Sequence, residues 1–303
     1  YIYYQEDEEY DEKVDNEETY IQILRNHIQN KTNSILLSAT LDKPINEEDN
    51  IYYHIDLRDL IEQKILCDYQ IKIPVFEEVN DTTVCKYLLE NYSHLIIYSS
   101  STMDGKKINK IMNKLLLNSS AYIDCHTSKK QREIILQKFR EGKLLYLVNV
   151  RVLIEGFNAT ITQGCVLMHI SKNDKTLIQI LGRTLRPHPN KTYAYLILPF
   201  TDPNESKDFQ FICKVLYDND RIIRQTIINK KYGGYIDVIK IEKDKQLNED
   251  DYDIDEEIMD TKFEIVLDSI GKCISGRYEL WKMNLEKLKE FIDINETKPN
   301  KRK

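Results

Sequence analysis

Between residues 70 and 200, short apolar runs alternate with longer stretches in which apolar residues recur every three or four positions. The short runs predict β-strands, and the longer stretches predict amphipathic helices. The predicted strands cover 70–76, 94–99, 121–125, 144–150, 164–170 and 194–199, and the predicted helices cover 82–91, 105–118, 129–140 and 175–184. Nearly continuous apolar strands that alternate with helices indicate an α/β fold, in which a parallel sheet carries helices on both faces.

Outside this region the apolar pattern is less regular. Beyond Phe200 it predicts a helix followed by β-rich segments near Gly233. Residues 276–295 again carry apolar residues at helical spacing, which fits either an ordinary amphipathic helix or the opening of a helical domain. The sequence predicts five segments. A first segment at 1–45 contains an acidic loop, a linker covers 46–69, and the α/β domain covers 70–200. A smaller α/β or helical extension with a second acidic loop follows at 201–270, and a helical region covers 271–303.

The net charge of −7 is unevenly distributed along the chain. Residues 1–19 hold nine acidic residues and one lysine, and residues 242–260 hold ten acidic residues and two lysines, so each run carries −8. These two runs together carry −16. Because the whole chain carries −7, the remaining residues carry +9. The window 126–191 holds twelve Lys or Arg against four Asp or Glu. A basic body predicts a polyanionic partner, and we interpret the acidic runs as solvated, flexible surface.

Cysteine spacing and hydropathy narrow the class of protein. The six cysteines (67, 85, 125, 165, 213 and 273) form no CxxC pair, so we predict reduced structural thiols in a reducing compartment, cytoplasmic, nuclear or virus-associated. No apolar run approaches the roughly 18 residues of a membrane span, so no membrane partner is predicted. The chain begins at Tyr1 with neither an initiator Met nor a signal-peptide pattern, which we interpret as a piece of a longer protein.

The segment from Gln179 to Arg186 (QILGRTLR) carries the most specific candidate chemistry. Arg183 and Arg186 are three positions apart at the end of a predicted helix, so both leave the same face. Two arginines so placed repel each other unless an anion or acidic groups lie opposite, and a planar guanidinium suits the charge of a phosphoryl group. Gly182 costs a helix about 1 kcal/mol relative to Ala, which suggests a close approach at this position. The alternative is a surface helix with two solvated arginines.

QILGRTLR resembles motif VI, Q-x-x-G-R-x-x-R, of superfamily-2 helicases. The resemblance implies a RecA-like α/β fold and an ATP-dependent motor whose second lobe is this chain. It also implies that Arg186 is the arginine finger that reaches ATP on the first lobe, that Arg183 supports the γ-phosphate, and that Gln179 and Gly182 belong to the same ATP-binding cleft. Residues 1–45 are then the end of the first lobe.

Three weaker motifs occur in the order expected of that family. Ser38-Ala39-Thr40 resembles motif III, in which Ser38 and Thr40 couple the ATP site to the nucleic-acid site. Ser99 and Ser100 resemble the end of motif IV, which faces the phosphates of nucleic acid. His126 follows an apolar strand and either contacts a phosphate or is a satisfied loop residue.

Residues 149–158 resemble motif V, which the family shares between nucleic acid and ATP. Asn149 and Arg151 are the candidate nucleic-acid contacts. Glu155, Gly156 and Asn158 are the candidate ATP-binding residues. Asn158 stands where many relatives have Asp, so it can hydrogen-bond a ribose hydroxyl but supplies no negative charge.

The catalytic elements of a first lobe are missing from this sequence. Residues 103–107 lack the GxxxxGK[ST] spacing of a P-loop, and the acidic string 6–9 follows no apolar strand. The resemblance therefore implies that ATP and Mg²⁺ are held by a first lobe of the same parent chain, encoded upstream, and that this chain alone is inactive. We find no metal-ligand spacing here.

Three functions remain open from the sequence. The first is a helicase that unwinds DNA or RNA, the second is a duplex-DNA translocase of the restriction or remodelling type, and the third is a nucleic-acid-binding module without catalysis. The high usage of Lys, Ile, Asn and Tyr is typical of an AT-rich genome such as that of a large DNA virus.

Overall fold

The computed structural model describes residues 57–77, 80–150, 159–168, 174–242 and 252–274, together with 281, 285, 288, 289 and 292. All of these belong to the second of the two units into which the chain divides, residues 51–303. Its strands are β1 (Asp68–Phe76), β2 (Leu95–Tyr98), β3 (Ser120–Ile123), β4 (Tyr146–Asn149), β5 (Gly164–Leu167), β6 (Tyr193–Ile197) and β7 (Ile236–Ile241).

Eight α-helices accompany these strands in the described ranges. They are α1 (Leu57–Glu62), α2 (Asp81–Asn91), α3 (Thr102–Leu115), α4 (Lys129–Arg140), α5 (Asp174–Thr184), α6 (Ser206–Asn219), α7 (Arg221–Asn229) and α8 (Tyr252–Gly271). The alternation predicted for residues 70–200 is confirmed, with strand and helix ends shifted by a few residues.

The strands form one sheet in the order β3-β4-β2-β5-β6-β1-β7, and every pair is parallel. Two apolar clusters cover its faces. One joins α2 and α3 to the sheet through residues such as Leu88 and Met112. The other joins α4, α5 and the helices after β6 through residues such as Phe139 and Leu181. The predicted parallel sheet with helices on both faces is therefore confirmed.

The region after Phe200 differs in detail from its prediction. It contains two helices, α6 and α7, where one was predicted, because Asp220 caps the start of α7 by accepting from the N–H groups of Ile222 and Ile223. The following strand, β7, pairs with β1. The sheet is therefore continuous across the predicted boundary at residue 200.

The second acidic run does not remain a loop over its whole length. Residues 252–260 belong to α8, because Met259 and the residues that follow place an apolar stripe on the sheet. Lys262 anchors this helix: its ammonium donates to the carbonyl oxygens of Phe76 (2.9 Å), Glu77 (2.6 Å) and Thr201 (2.9 Å). The prediction of flexible surface is wrong for residues 252–260.

The predicted linker at 46–69 also contains folded structure. Residues 57–62 form α1, and Arg58 on this helix is 3% exposed. Its guanidinium pairs with Asp220 (2.6 Å) and Asp68 (2.7 Å), which are far apart in the sequence. Burial opposes the charge of Arg58, but the hydrogen bonds from Arg58 to Asp220 and Asp68 outweigh it and raise the pKa of Arg58. These contacts tie α1 to the sheet and to α7.

Candidate functional site

The carboxyl ends of the strands lie along one edge of the sheet, because every strand pair is parallel. Ser99 and Ser100 follow β2, Asn149 ends β4, and His126 lies in the loop after β3. These strands are neighbours in the order β3-β4-β2. The structure therefore brings together, at one part of one edge, four residues that were predicted to bind nucleic acid.

The two serines after β2 have different surroundings. The Ser99 hydroxyl is buried and has no hydrogen-bond partner among the described residues. Ser100 is exposed, and its hydroxyl donates to Asp104 Oδ2 at 2.6 Å. Asp104 also accepts from the hydroxyl of Ser101, which caps the start of α3. This acidic group at the start of α3 was missed in the sequence, although the spacing Ser101-x-x-Asp104 is a capping signal.

Gly105 lets the start of α3 approach the sheet closely. A Cβ atom added there would lie 2.6 Å from Tyr122 Cε2 and 3.2 Å from the Ser99 hydroxyl oxygen. Such distances are shorter than side chains tolerate, so the glycine keeps the Ser99 hydroxyl beside the helix. Gly105 thus has a packing role, consistent with the absence of a P-loop at 103–107.

Asn149 connects two strand ends. Its side chain is fully buried, and its Nδ2 atom lies 3.4 Å from the Ile97 carbonyl oxygen. Its own carbonyl oxygen accepts from the Ser99 N–H at 3.1 Å. These contacts hold the end of β2 beside the end of β4, where the motif V segment begins. The burial of Asn149 favours a structural role over direct contact with a ligand.

A turn built on Asp124 positions His126. One oxygen of Asp124 accepts from the His126 N–H and the Thr127 hydroxyl, each at 3.0 Å. Burial alone raises the pKa of Asp124, but the hydrogen bonds from Thr127, Tyr122 and His126 outweigh it and leave the pKa lowered. The His126 side chain is exposed at the carboxyl edge. Asp124 was missed in the sequence, although an acidic residue directly after an apolar strand was its signal.

Helix α5 carries the QILGRTLR segment. Its apolar residues Leu177, Ile180 and Leu181 are buried in the core. Gln179, Gly182 and Arg183 lie on its half-buried face, and Arg186 follows two residues after the helix ends, also half-buried. The amphipathic pattern therefore orients the helix so that its polar motif residues remain accessible.

Arg183 lies near the end of β2. Burial raises the pKa of Tyr98, and the positive charge of Arg183 partly offsets this rise. The Tyr98 hydroxyl is buried and has no hydrogen-bond partner in the described part of the chain. Arg183 is thus electrostatically linked to the strand that leads into Ser99.

Comparisons with known proteins bear on this arrangement. Residues 79–188, which include β2–β5 and α5, match the model of the helicase conserved C-terminal domain. Residues 79–188 therefore carry a helicase conserved C-terminal domain, and the sheet around them has the RecA-like α/β fold. The family predicted from QILGRTLR is therefore confirmed, and we refer below to this region as the helicase lobe.

Individual relatives match at low identity. IRC3 of Saccharomyces cerevisiae, described as a candidate ATP-dependent helicase, is 23% identical over 179 residues, covering 49% of this chain and 26% of that protein. The type ISP restriction-modification enzyme LlaBIII bound to DNA has a TM-score of 0.61 at 15% identity, covering 88% of this chain and 22% of that one. The C-terminal domain of the DEAD-box protein Dbp5 has a TM-score of 0.45 at 15% identity, covering 64% of this chain and 98% of that one. This chain thus spans about a quarter of IRC3.

The remaining predicted site residues lie outside the described residues. They are Ser38 and Thr40 of the motif III segment, and Arg151, Glu155, Gly156 and Asn158 of the motif V segment. Their roles stay predictions. The viral source suggested by residue usage finds no support in the comparisons.

A cavity of about 490 Å³ lies beside the start of β1, away from the carboxyl edge. Its lining includes Arg58, Asp68, Cys67 and Pro187. Arg58 and Asp68, two of the charged residues that line this cavity, pair with each other. The predicted site residues of the helicase lobe do not line it.

Among the described residues, no cluster of three or more His, Cys, Asp or Glu is arranged to hold a metal ion. No helix in these ranges is long and apolar enough to span a bilayer. All six cysteines are free thiols; Cys125 is exposed, Cys67 is partly buried and the other four are buried.

Proposed function

We propose that this chain is the second motor lobe of an ATP-dependent helicase or translocase, and that ATP binds between it and a first lobe of the same parent protein. The observation that carries the proposal is α5, which is anchored by its apolar face and leaves Gln179, Gly182 and Arg183 accessible, with Arg186 just beyond. Because these polar residues are accessible, they can contact a first lobe when the cleft between the two lobes closes.

In this proposal, each residue of α5 has a role in ATP hydrolysis. Arg186 stabilises the charge on the transferring phosphoryl group, and Arg183 supports the γ-phosphate. Gln179 and Gly182 border the nucleotide. The first lobe supplies the P-loop and the carboxylate that holds Mg²⁺, so the chain by itself binds neither group productively.

Nucleic acid lies across the carboxyl edge of the sheet. The exposed Ser100 and His126 side chains are the contacts that we assign to the phosphate backbone. Arg151 of the motif V segment, which lies outside the described residues, is assigned the same role from the family resemblance alone. Ser99 and Asn149 hold the strand ends in place. From the family resemblance alone, Ser38 and Thr40 are assigned to coupling and Glu155, Gly156 and Asn158 to ATP binding. All five lie outside the described residues.

The direct test compares this chain with the full-length protein. We expect the isolated chain to hydrolyse no ATP above background, because its sequence contains no P-loop. We expect the full-length protein to hydrolyse ATP faster when DNA or RNA is added. Turnover by the isolated chain, or a full-length protein without ATPase activity, would contradict the proposal; the measurement is phosphate release with and without nucleic acid.

A duplex-DNA translocase is the second candidate function. The observation that favours it is the TM-score of 0.61 over 88% of this chain with a restriction-modification enzyme bound to DNA. Duplex-stimulated ATP hydrolysis without strand separation would select the translocase. Strand separation would select the helicase. Nucleic-acid binding without ATP hydrolysis by the full-length protein would select a non-catalytic module.

Gly182 provides a separate test of the cleft. Among the described residues, no atom lies within 4 Å of a Cβ added to Gly182, so none of them makes the close approach that the sequence suggests. We expect Gly182→Ala to stabilise the isolated chain by up to about 1 kcal/mol in urea denaturation. In the full-length protein we expect the added methyl group to meet the first lobe and lower ATP turnover.

The matched control is Gly271→Ala at the end of α8, where an added Cβ also meets no atom. It is expected to leave ATP turnover unchanged. If Gly182→Ala leaves turnover unchanged as well, Gly182 does not border the cleft.

A further inference from the structure

Lys191 lies in the turn that connects α5 to β6. The stretch Pro187-His188-Pro189-Asn190 is rich in turn-forming residues. The Lys191 N–H closes the turn by donating to the His188 carbonyl oxygen at 2.9 Å. The chain therefore reverses its direction, and the Lys191 side chain reaches back to the end of α5.

The ammonium group of Lys191 binds two backbone carbonyls. It donates to the Thr184 carbonyl oxygen at 2.8 Å and to the Thr162 carbonyl oxygen at 2.9 Å. Thr184 is the last residue of α5, and a carbonyl in the last turn has no partner within its own helix. A positive charge at this end of a helix is also favoured by the helix dipole.

Leu185, the residue after Thr184, is held by a hydrogen bond from another part of the chain. The backbone N–H of Cys67, just before β1, donates to the Leu185 carbonyl oxygen at 2.8 Å, and the Leu185 side chain is fully buried. The contacts of Lys191 with Thr184 and of Cys67 with Leu185 form what we call the 184–185 clamp. The clamp holds the two residues that separate Arg183 from Arg186.

The surroundings of Lys191 indicate that its charge alone does not explain its presence at this position. Burial lowers the pKa of Lys191, and the nearby Cys67 thiol partly offsets this effect. Its ammonium donates to two backbone carbonyls, and the Cys67 thiol also lies beside it. Burying an ammonium for such contacts costs free energy that an apolar residue would not cost. The arrangement therefore favours a residue kept for the geometry that it imposes.

We propose that Lys191 is a positioning residue for ATP hydrolysis, which fixes the directions in which Arg183 and Arg186 leave the end of α5. This inference rests on the function proposed above. A displacement of about 1 Å in a catalytic group can lower a rate about 100-fold. The clamp prevents such a displacement, because the backbone of Thr184 and Leu185 cannot shift without breaking hydrogen bonds to two other elements.

The test is Lys191→Met in the full-length protein, which keeps an unbranched side chain and removes the donors. We expect kcat for nucleic-acid-stimulated ATP hydrolysis to fall about 10- to 100-fold, while KM for ATP changes by less than about threefold. Lys191→Arg, which retains charge and donors, is expected to recover most of kcat. Amide hydrogen exchange should become faster at residues 183–186 in the Lys191→Met chain.

Lys207→Met is the matched control, because Lys207 is an exposed lysine on α6 outside the clamp. It should leave kcat and amide exchange at 183–186 unchanged. If Lys191→Met retains wild-type kcat while Arg186→Ala abolishes turnover, the positioning role is wrong and the proposed function stands. If the wild-type protein hydrolyses no ATP, the proposed function itself is wrong. A loss of kcat that matches only the unfolded fraction, measured by thermal denaturation, would also overturn the positioning role.

Discussion

Arg186→Ala in the full-length protein is expected to lower nucleic-acid-stimulated ATP turnover by about 10³- to 10⁵-fold, the range measured for arginine fingers in phosphoryl transfer. The loss is expected in kcat, because the charge that Arg186 stabilises develops only as the phosphoryl group transfers. The side chain follows a clamped backbone and is half-buried, so little entropy is lost when it enters the cleft. The measurement is steady-state phosphate release at saturating nucleic acid.

Two variants make this experiment specific. Arg186→Lys keeps the charge but loses the planar fork, so we expect it to recover only part of the activity. Arg221→Ala removes a partly exposed arginine that pairs with Asp59 and Glu62 on the protein surface. It is expected to retain wild-type turnover. If Arg186→Ala retains turnover within about tenfold of wild type, the finger is another residue.

Asp220→Ala is expected to lower the free energy of unfolding of the chain by about 3–5 kcal/mol, the cost of removing one partner from a buried ion pair. The Asp220 side chain is fully buried and accepts from the Arg58 guanidinium at 2.6 and 3.2 Å. It also accepts from the Tyr69 hydroxyl at 2.9 Å and from two N–H groups at the start of α7. Alanine would leave Arg58 buried with only Asp68 as its charged partner.

Substituting the adjacent residue, Arg221, tests whether burial causes the loss of stability expected for Asp220→Ala. Arg221 also pairs with α1, but its side chain is 41% exposed, so Arg221→Ala should lower the free energy of unfolding far less than Asp220→Ala does. A double variant, Arg58→Met with Asp220→Leu, should cost less than Asp220→Ala alone, because no buried charge is left unpaired. Urea denaturation followed by circular dichroism gives all three values. Equal costs for Asp220→Ala and Arg221→Ala would show that the buried pair contributes no more than a surface pair.

The strands and helices between 70 and 200 could be predicted because their local patterns are strong. Strand β4 is a run of buried residues, and α4 begins and ends within its predicted range. The QILGRTLR segment was recognisable because Gln179, Gly182, Arg183 and Arg186 are close in sequence. Local spacing sets both features, so neither requires knowledge of the tertiary structure.

Other features depended on contacts between distant residues. Arg58 and Asp220 are 162 positions apart, and no local pattern in the predicted linker indicates that they meet. The β-rich segment predicted near Gly233 contains β7, but its parallel pairing with β1 could not be predicted from local spacing. Helix α8 was not predicted, because it is stabilised mainly by packing on the core rather than by its own sequence. The acidic side chains of α8 obscured the apolar stripe that holds it.

The sequence by itself determined the fold class of the lobe and the identity of its motif VI, because both follow from short-range periodicity and spacing. Only the tertiary structure decided where these residues lie: Ser99, Asn149 and His126 at one edge, and Arg183 and Arg186 around a clamped turn. It alone connected Lys191 to the end of α5 and Cys67 to Leu185. The physical reason is that a backbone carbonyl has the same chemistry at every position, so its partner is chosen by the packing of the whole sheet.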